Sequence, residues 1–331
     1  MMKQKRRFFW IFLFSLLLII SIIVSIISGT LHFSIRDILT IFFGKSHDNL
    51  AQHIIINVRL PRTLVGLLVG MNLGIAGALL QGLLRNDLAS PNVIGVNSGA
   101  GLAAIIMMCI MPGNIRMLPP ATFVGALAAA LAIYTLSRID GSSSNVTIVL
   151  AGVALSALLK ALTSAVMILH SDELGLTYTW LIGGLTGRSW SHYQSICYYS
   201  LFGLLGAIYL SPRINLFLLG EDIGKNLGLS VEISRMLIII NASILAGSAV
   251  SVAGTIGFIG LIAPHIARLI IGNDYRYLVI LSGILGGFLL VVSDTFARTI
   301  FQPLEIPVGI VTAVLGTPFF LSLIYKKRYN L

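Results

Sequence analysis

Charged residues are scarce in this chain, and their scarcity excludes most classes of soluble protein. Asp, Glu, Lys and Arg make up 10% of its 331 residues, against about 25% in a typical soluble domain. Hydrophobic residues make up 56%, and the mean hydropathy is +0.95. This composition indicates an integral membrane protein. The net charge of +10 does not indicate nucleic-acid binding, because no basic groove with interleaved aromatic residues accompanies it.

Residue patterns for covalent, nucleotide or metal chemistry are also missing. Cys109 and Cys197 are the only cysteines; neither has a metal-ligand spacing, and we interpret both as packing residues. No G-x-S-x-G, H-E-x-x-H or paired-carboxylate pattern occurs. The segment GEDIGK superficially resembles a P-loop, but it has three residues rather than four between its glycines, and Asn226 replaces the magnesium-binding Ser or Thr. The sequence therefore predicts no catalytic, cofactor or metal site and no nucleotide binding.

Long apolar runs dominate what is present. A helix needs about 20 apolar residues to cross a bilayer, and ten segments meet or approach that length. They are Phe8–Ile27, Leu60–Leu84, Val93–Met111, Met117–Leu136, Val146–Leu169, Ser195–Leu210, Met236–Val252, Ile256–Ile271, Tyr277–Phe301 and Ile306–Tyr325. The first lacks a small-residue cleavage site, so we interpret it as a retained helix. The sequence predicts an all-α polytopic membrane protein with about ten transmembrane helices.

Three segments depart from the pattern of plain spans. Ile256–Ile271 is short and contains two glycines and a proline, so we expect it to be buried in the bundle or to line a path. The long loop His170–Gln194 contains W-L-I-G-G, where a short surface or re-entrant helix is expected. The loop Ser211–Ser234 is too polar to span and too apolar for an idle loop; it predicts one or two short amphipathic helices on the membrane surface.

Lys and Arg in the short loops predict the orientation. Most of them collect on one side if both termini are cytoplasmic. The other, outer side receives fewer: Arg36, Lys45, Arg59, Arg62, Arg116, Arg188 and Arg298. We therefore expect a multi-pass protein of the cell membrane with both termini in the cytoplasm.

Ionisable and polar residues inside spans are functional candidates, because burying an unpaired charge is costly. Lys160 lies mid-span; it is a cationic residue lining a path for an anionic substrate, a structural lysine bonded to backbone carbonyls, or a residue outside the true span. Asp294 and Arg298, four residues apart, are expected to pair. We interpret His265 as a hydrogen-bonded structural group. Three further side chains are expected to form interhelical hydrogen bonds: Asn72, Gln81 and Asn241.

The stretch Arg59–Gly101 carries the most specific pattern. Gly66, Gly70 and Gly74 in tandem G-x-x-x-G spacing place a smooth stripe on one helix face, which lets another helix approach closely. The stretch as a whole resembles the signature of the FecCD family, the membrane subunits of bacterial ATP-binding-cassette (ABC) importers for iron-siderophores, haem and cobalamin. Asp87 is one departure, because the family usually has proline there, and we expect it to loosen that turn slightly.

Three later segments are similar to further motifs of the family, in the family's order. They are Gly254–Gly287 with its P-H-x-x-R element, Ser293–Arg298, and Glu305–Ala313 followed by G-T-P. The resemblance implies a type II ABC importer permease, with residues 1–331 forming a single transmembrane permease domain. Residues 211–234 would then be its cytoplasmic coupling-helix loop.

The resemblance also implies partners and a function without covalent chemistry in this chain. Two ABC ATPase subunits would hydrolyse ATP, a second permease subunit would complete a homo- or heterodimer, and an extracytoplasmic solute-binding protein would deliver an iron-siderophore substrate. The alternative is an ion-coupled secondary transporter. Such a transporter would need inverted repeats and paired intramembrane acidic residues, whereas only Asp294 lies clearly inside a predicted span.

Family motif positions imply three groups of functional residues. Arginines on the outer side would dock glutamates of the binding protein: Arg59, Arg62 and Arg298. The alternative is that Arg298 pairs with Asp294 while the other two snorkel into lipid headgroups. Residues of the inner loop would contact the ATPase, with the second and third glycines permitting close approach: Gly220, Glu221, Asp222, Gly224, Asn226, Leu227 and Gly228. Lys160 would line the translocation path.

Overall fold

The computed structural model describes residues 4–29, 31, 33, 40–41, 49–111, 116–139, 142–143, 145–170 and 174–329. Arg36 and Lys45, two of the cations assigned to the outer side, lie outside the described residues. Within the described ranges the chain is almost entirely helical, and the strands are two-residue segments, β1 (Arg138–Ile139) and β2 (Ser142–Ser143), paired antiparallel. The predicted all-α polytopic class is confirmed.

The helices follow one another in chain order. They are α1 (Gln4–Ile27), α2 (Asn49–His53), α3 (Leu60–Leu84), α4 (Val96–Ile110), α5 (Leu118–Leu136), α6 (Asn145–Leu169), α7 (Leu174–Ile182), α8 (Trp190–Leu218), α9 (Glu221–Asn226), α10 (Val231–Ala253), α11 (Ile259–Ile271), α12 (Tyr275–Thr299) and α13 (Val308–Tyr329). A π-helical segment, Ile54–Arg59, joins α2 to α3, and a 3₁₀ turn, Pro91–Ile94, precedes α4.

All ten predicted spans coincide with helices. Seven helical segments of the described chain are long and apolar enough to cross a membrane, and three shorter apolar helices, α4, α11 and part of α13, account for the others. The number of crossings, about ten, stays a prediction. The second span was predicted too short at its start, because the helical run that contains it begins at Asn49.

The inner loop was predicted to begin too early. Helix α8 continues to Leu218 and contains Pro212, which has no N–H to donate to the carbonyl of Ile208. The Ser211 hydroxyl donates to that carbonyl oxygen at 2.8 Å. This bond replaces the missing one, so the helix passes through the proline instead of ending before it.

Helix α3 lies at the centre of the bundle and is buried along most of its length. Gly70 and Gly74 face α12 so closely that a Cβ on either would overlap the backbone of Gly286 or Ser282. Gly77 faces Gly260 of α11 in the same way. The glycine spacing therefore predicted a real close approach of helix backbones.

Polar contacts between helices agree with two of three expectations. Asn72 on α3 donates to Ser200 on α8 at 2.8 Å and to Ser248 on α10 at 3.1 Å. Gln81 donates to the carbonyl of Leu261 at 3.3 Å. Asn241 packs against Gly206, and its Oδ1 accepts no hydrogen bond from the described residues. The expectation is therefore wrong for Asn241.

The irregular segments form as expected, with one addition. Helix α11 is short and largely buried, and Pro264 lies within it without ending it. Helix α7 is the short helix expected in the outer loop. The turn after α3 contains an ion pair that the sequence did not predict, between Asp87 and Arg268 of α11 at 2.7 Å. Asp87 therefore joins the turn to α11, and Arg268 in turn donates to Gln81 of α3 and to Tyr275 of α12.

Helix α12 begins at a carboxylate that three elements share. Asp274 accepts a hydrogen bond from the backbone N–H of Arg276. It also accepts from Arg7 of α1 and from Asn215 of α8, both at 3.0 Å. The Arg276 side chain, against an opposing effect of burial, and Asn215 hold the pKa of Asp274 well below its ordinary value. A charged Asp274 therefore gathers α1, α8 and α12 at one end of the bundle.

Candidate functional site

The end of the bundle opposite Asp274 carries a group of charged residues that we call the arginine cluster. It contains four arginines and two carboxylates: Arg59, Arg62, Arg188, Arg298, Asp294 and Glu305. They come from the start of α3, the end of α12 and the loops that precede α8 and α13.

Arg62 is the centre of the arginine cluster. Its Nε and Nη2 donate to the two carboxylate oxygens of Asp294 at 3.0 and 2.9 Å, and its Nη1 donates to Glu305 at 2.8 Å. Arg62 is 7% exposed and Asp294 2%. The two-pronged geometry is the strongest form of arginine–carboxylate pairing. Glu305 also accepts from Thr186 at 3.0 Å, and although burial opposes the shift, Arg62 and Thr186 lower the pKa of Glu305.

Arg59 caps the C-terminal end of α1. It donates to the carbonyl oxygens of Ile26, Ile27 and Leu31 at 2.9, 2.8 and 2.6 Å. The last carbonyls of a helix lack partners within the helix and carry partial negative charge, so a cation is favoured there. The guanidinium also lies 4.9 Å from the centre of the Phe33 ring.

Arg298 is bound chiefly to α1. It donates to the hydroxyl oxygen of Ser25 at 2.8 Å and to the carbonyl oxygen of the same residue. Its Nε is 3.9 Å from Asp294, so the expected pair within α12 is a weak one, and Arg62 is the principal partner of Asp294. The snorkelling alternative for Arg59 and Arg62 is wrong, because both are buried.

The three predicted docking arginines are thus brought together, but each guanidinium is bonded inside its own chain. Arg188 is the member that sequence reasoning missed, since it was counted only as one outer cation among several. Its Nε is buried without a hydrogen-bond partner among the described residues. Burial lowers the pKa of Arg188, and the positive charge of Arg62 lowers it further. No sequence motif marks Arg188.

Helix α9 and its flanking glycines form the predicted coupling segment at the other end. Gly220 precedes this helix and Gly228 follows it, and both have a positive φ, +107° and +86°. A Cβ added at Gly228 would have no heavy atom within 4 Å. Gly224 is buried, and a Cβ there would lie 3.2 Å from Leu229 and 3.6 Å from the carbonyl oxygen of Leu216. The close approach that Gly224 permits is therefore made within this chain. Most other residues of the segment are exposed: Asp222, Ile223, Lys225, Asn226 and Leu227.

The model of the FecCD transport family matches residues 17–326 of the chain. The chain belongs to the FecCD transport family. An uncharacterized ABC transporter permease protein of Bacillus subtilis, YvrB, is 39% identical to this FecCD permease, with 94% of this chain and 92% of the relative covered. The Fe(3+)-citrate import system permease protein YfmE of the same organism is 38% identical, with coverage of 97% and 96%.

A solved structure agrees with the family assignment. An inward-facing conformation of an ABC transporter of the metal-chelate type matches this FecCD permease with a TM-score of 0.84 and 29% identity, covering 96% of this chain and 98% of the other. The protein is a multi-pass membrane protein and the permease subunit of an ABC importer. The alternative of an ion-coupled transporter is not favoured.

Two intramembrane candidates of the FecCD permease, Lys160 and His265, lie within helices α6 and α11. Lys160 is exposed halfway along α6 and makes no hydrogen bond to the described residues. The alternative of a structural lysine bonded to backbone carbonyls has no support among the described residues. His265 packs edge-on against Phe319, and its Nδ1 has no hydrogen-bond partner in the ranges given above, contrary to expectation.

Proposed function

We propose that this FecCD permease carries a ferric chelate of the siderophore or citrate type across the cytoplasmic membrane. An extracytoplasmic binding protein delivers the chelate, and separate subunits hydrolyse ATP. The observation that carries the proposal is full-length similarity to import permeases named for iron chelates, ferric citrate at 38% identity and siderophores at 36%. Cobalamin is the competing cargo, because a cobalamin import permease, BtuC of Halobacterium salinarum, is 39% identical over 278 residues.

Uptake measurements distinguish the two cargoes. A strain lacking this gene is supplied in turn with radiolabelled ferric citrate, a ferric hydroxamate and cobalamin. We expect uptake of one iron chelate to be lost and then restored by the gene on a plasmid. Loss confined to cobalamin, or unchanged uptake of all iron chelates, contradicts the proposal.

We propose further that the arginine cluster, with Arg59, Arg62 and Arg298, docks acidic side chains of the binding protein. The cluster holds four arginines against two carboxylates, so it retains positive charge although three guanidinium groups have partners in this chain. Such charge attracts glutamates on a partner and sets the register of docking. Arg188 has no ion-pair partner among the described residues, whereas Arg62 and Arg298 both lie near Asp294, so the charge of Arg188 is the less neutralised within this chain.

The docking test compares charge reversal at the arginines that are bonded within this chain with charge reversal at Arg188. Reversing Arg59, Arg62 and Arg298 to Glu abolishes docking, but it also breaks buried bonds, so Arg188→Glu is the sharper change. We expect Arg188→Glu to weaken binding of the purified binding protein about tenfold, the loss of one interfacial ion pair, and to reduce its salt dependence. Arg116→Glu, an exposed cation of the outer side, is the control. Equal binding by wild type and Arg188→Glu contradicts the assignment.

We propose that α9 with Leu227 and Gly228 forms the contact with the ATPase subunit. Ile223 and Leu227 are 53% and 58% exposed. Exposed apolar side chains on a loop outside the membrane usually mark a surface that binds another protein. Leu227→Asp leaves the permease in the membrane and reduces ATP-driven uptake. Leu227→Met, which keeps an apolar side chain at the same position, leaves uptake intact. The same uptake in both variants contradicts the proposal.

We propose that Lys160 lines the path of an anionic chelate between this permease and a second permease subunit. Its ammonium group is exposed on α6, a place where an unpaired charge in lipid is costly. Lys160→Met lowers uptake, whereas Lys160→Arg, which keeps the charge, preserves most of it. Full uptake by Lys160→Met excludes this role.

A further inference from the structure

Arg235 is the largest side chain that is completely buried in the described part of the chain. It lies in the first turns of α10. Its Nη2 donates to Glu221 at 2.6 Å, and its Nη1 donates to Glu232 at 2.9 Å. Glu221 is the first residue of α9, and Glu232 lies on α10 itself. One buried guanidinium therefore bridges the predicted coupling helix and a helix of the bundle.

The two carboxylates have different structural consequences. A buried arginine needs a counter-charge, because the cost of removing it from water is large. Glu232, three residues away on the same helix, supplies that counter-charge within α10; it also lies near Tyr134 of α5 and Arg138, and among the described residues it adds no hydrogen bond or ion pair to α9. Glu221 is the carboxylate that adds α9. Its pairing with Arg235 therefore fixes where α9 lies.

Helix α9 has little else to hold it. It is six residues long, and a helix this short is not stable by itself. Its one buried residue, Gly224, packs against Leu216 and Leu229. The Arg235–Glu221 pair is thus its charged attachment to the bundle among the described residues.

Helix α10, to which the Arg235–Glu221 pair attaches α9, is itself hydrogen-bonded to other helices of the bundle. Glu232 is reached by the hydroxyl of Tyr134 on α5 at 3.4 Å. Farther along α10, Ser248 accepts a hydrogen bond from Asn72 on the central helix α3. A displacement of α9 that moves Arg235 therefore moves a helix that is bonded to both α5 and α3.

We propose that Arg235 is a positioning residue that couples α9 to α10, and that Glu221 is the half of the ion pair through which the ATPase acts on the permease. The proposal rests on the proposed contact between α9 and the ATPase. It assigns the transmitted force to one ion pair rather than to the glycines of the loop. Glu221→Gln and Glu232→Gln then form a matched pair, since each removes one charge from the same guanidinium and leaves the other carboxylate to neutralise it.

The first measurement needs only the purified permease. Hydrogen exchange of the backbone amides of residues 221–226 reports how firmly α9 is held. We expect Glu221→Gln to speed this exchange about tenfold, the effect of losing one charge-assisted hydrogen bond, and Glu232→Gln to leave it near the wild-type rate. Equal exchange in the two variants overturns the proposed attachment.

The second measurement uses the complete importer in liposomes. We expect Glu221→Gln to raise the ATP hydrolysed per chelate imported several-fold, and Glu232→Gln to keep the wild-type ratio. Arg235→Lys follows Glu221→Gln, because a single ammonium group does not reproduce the planar fork that holds two carboxylates. A wild-type ratio in Glu221→Gln overturns the coupling role. If the wild-type importer moves no chelate, the proposed function fails, while the exchange result still decides the attachment.

Discussion

Arg62 shows how a charge is kept inside a bundle of apolar helices. Two of its nitrogens are bonded to both oxygens of Asp294, and a third is bonded to Glu305. The two carboxylates differ in environment, because the side chain of Asp294 is 3% exposed and that of Glu305 is 36% exposed. Burial therefore makes Asp294 the partner on which the fold depends, although Glu305 forms the shorter bond.

Neutralising each carboxylate in turn tests this difference. Asp294→Asn leaves a buried guanidinium underneutralised and costs roughly 3–5 kcal/mol of unfolding free energy. Glu305→Gln, the control, costs about 0–1 kcal/mol, as for a solvent-exposed pair. The apparent melting temperatures of the purified proteins in detergent check the order. Equal melting temperatures for the two variants contradict the role given to burial.

Partners of this kind lie beyond what sequence spacing reveals. Asp294 and Arg298 were expected to pair because they are four residues apart, yet Arg62, 232 positions away, takes the carboxylate. Spacing along one helix reports neighbours on that helix only. Contacts between helices depend on rotation and tilt, which a single sequence does not state. The same limit hid the link between Arg235 and Glu221.

At the scale of elements, the glycines of α3 decide how closely its neighbours approach. The Cα of Gly77 faces the backbone of Gly260 with no room for a side chain. Gly77→Ala forces α3 and α11 apart and costs about 1–3 kcal/mol, the usual range for overpacking. Gly257→Ala is the control, because no heavy atom lies within 4 Å of a Cβ placed there.

The yield of folded protein and its melting temperature measure the effect of both changes. A Gly77→Ala protein as stable as Gly257→Ala excludes the close approach. The spacing of the glycines predicted this contact because small residues at every fourth position leave a flat helix face. The ends of helices were less predictable, since the bond from Ser211 that carries α8 through Pro212 has no general signature in sequence.

At the scale of the whole molecule, the arginine cluster and α9 occupy opposite ends of the bundle, which predicts opposite exposure across the membrane. Asp222→Cys and Leu304→Cys are made in a chain whose Cys109 and Cys197 are replaced by serine. Both target residues are exposed. If both termini are cytoplasmic, as the distribution of Lys and Arg predicts, an impermeant maleimide labels Leu304→Cys in intact cells and Asp222→Cys only in inside-out vesicles. The reverse pattern inverts the proposed orientation.

The contacts of α1 have a consequence for how the importer moves. Near its start, Arg7 is bonded to Asp274, and near its end Ser25 is bonded to Arg298. These clasps join α1 to the first and last turns of α12, so the two helices run side by side in the same direction. Apolar side chains gain little from leaving lipid for another helix, because lipid tails are equally apolar. The polar bonds at its two ends therefore contribute more to the position of α1 than its apolar contacts do. We therefore expect α1 and α12 to move together in any rearrangement of the importer.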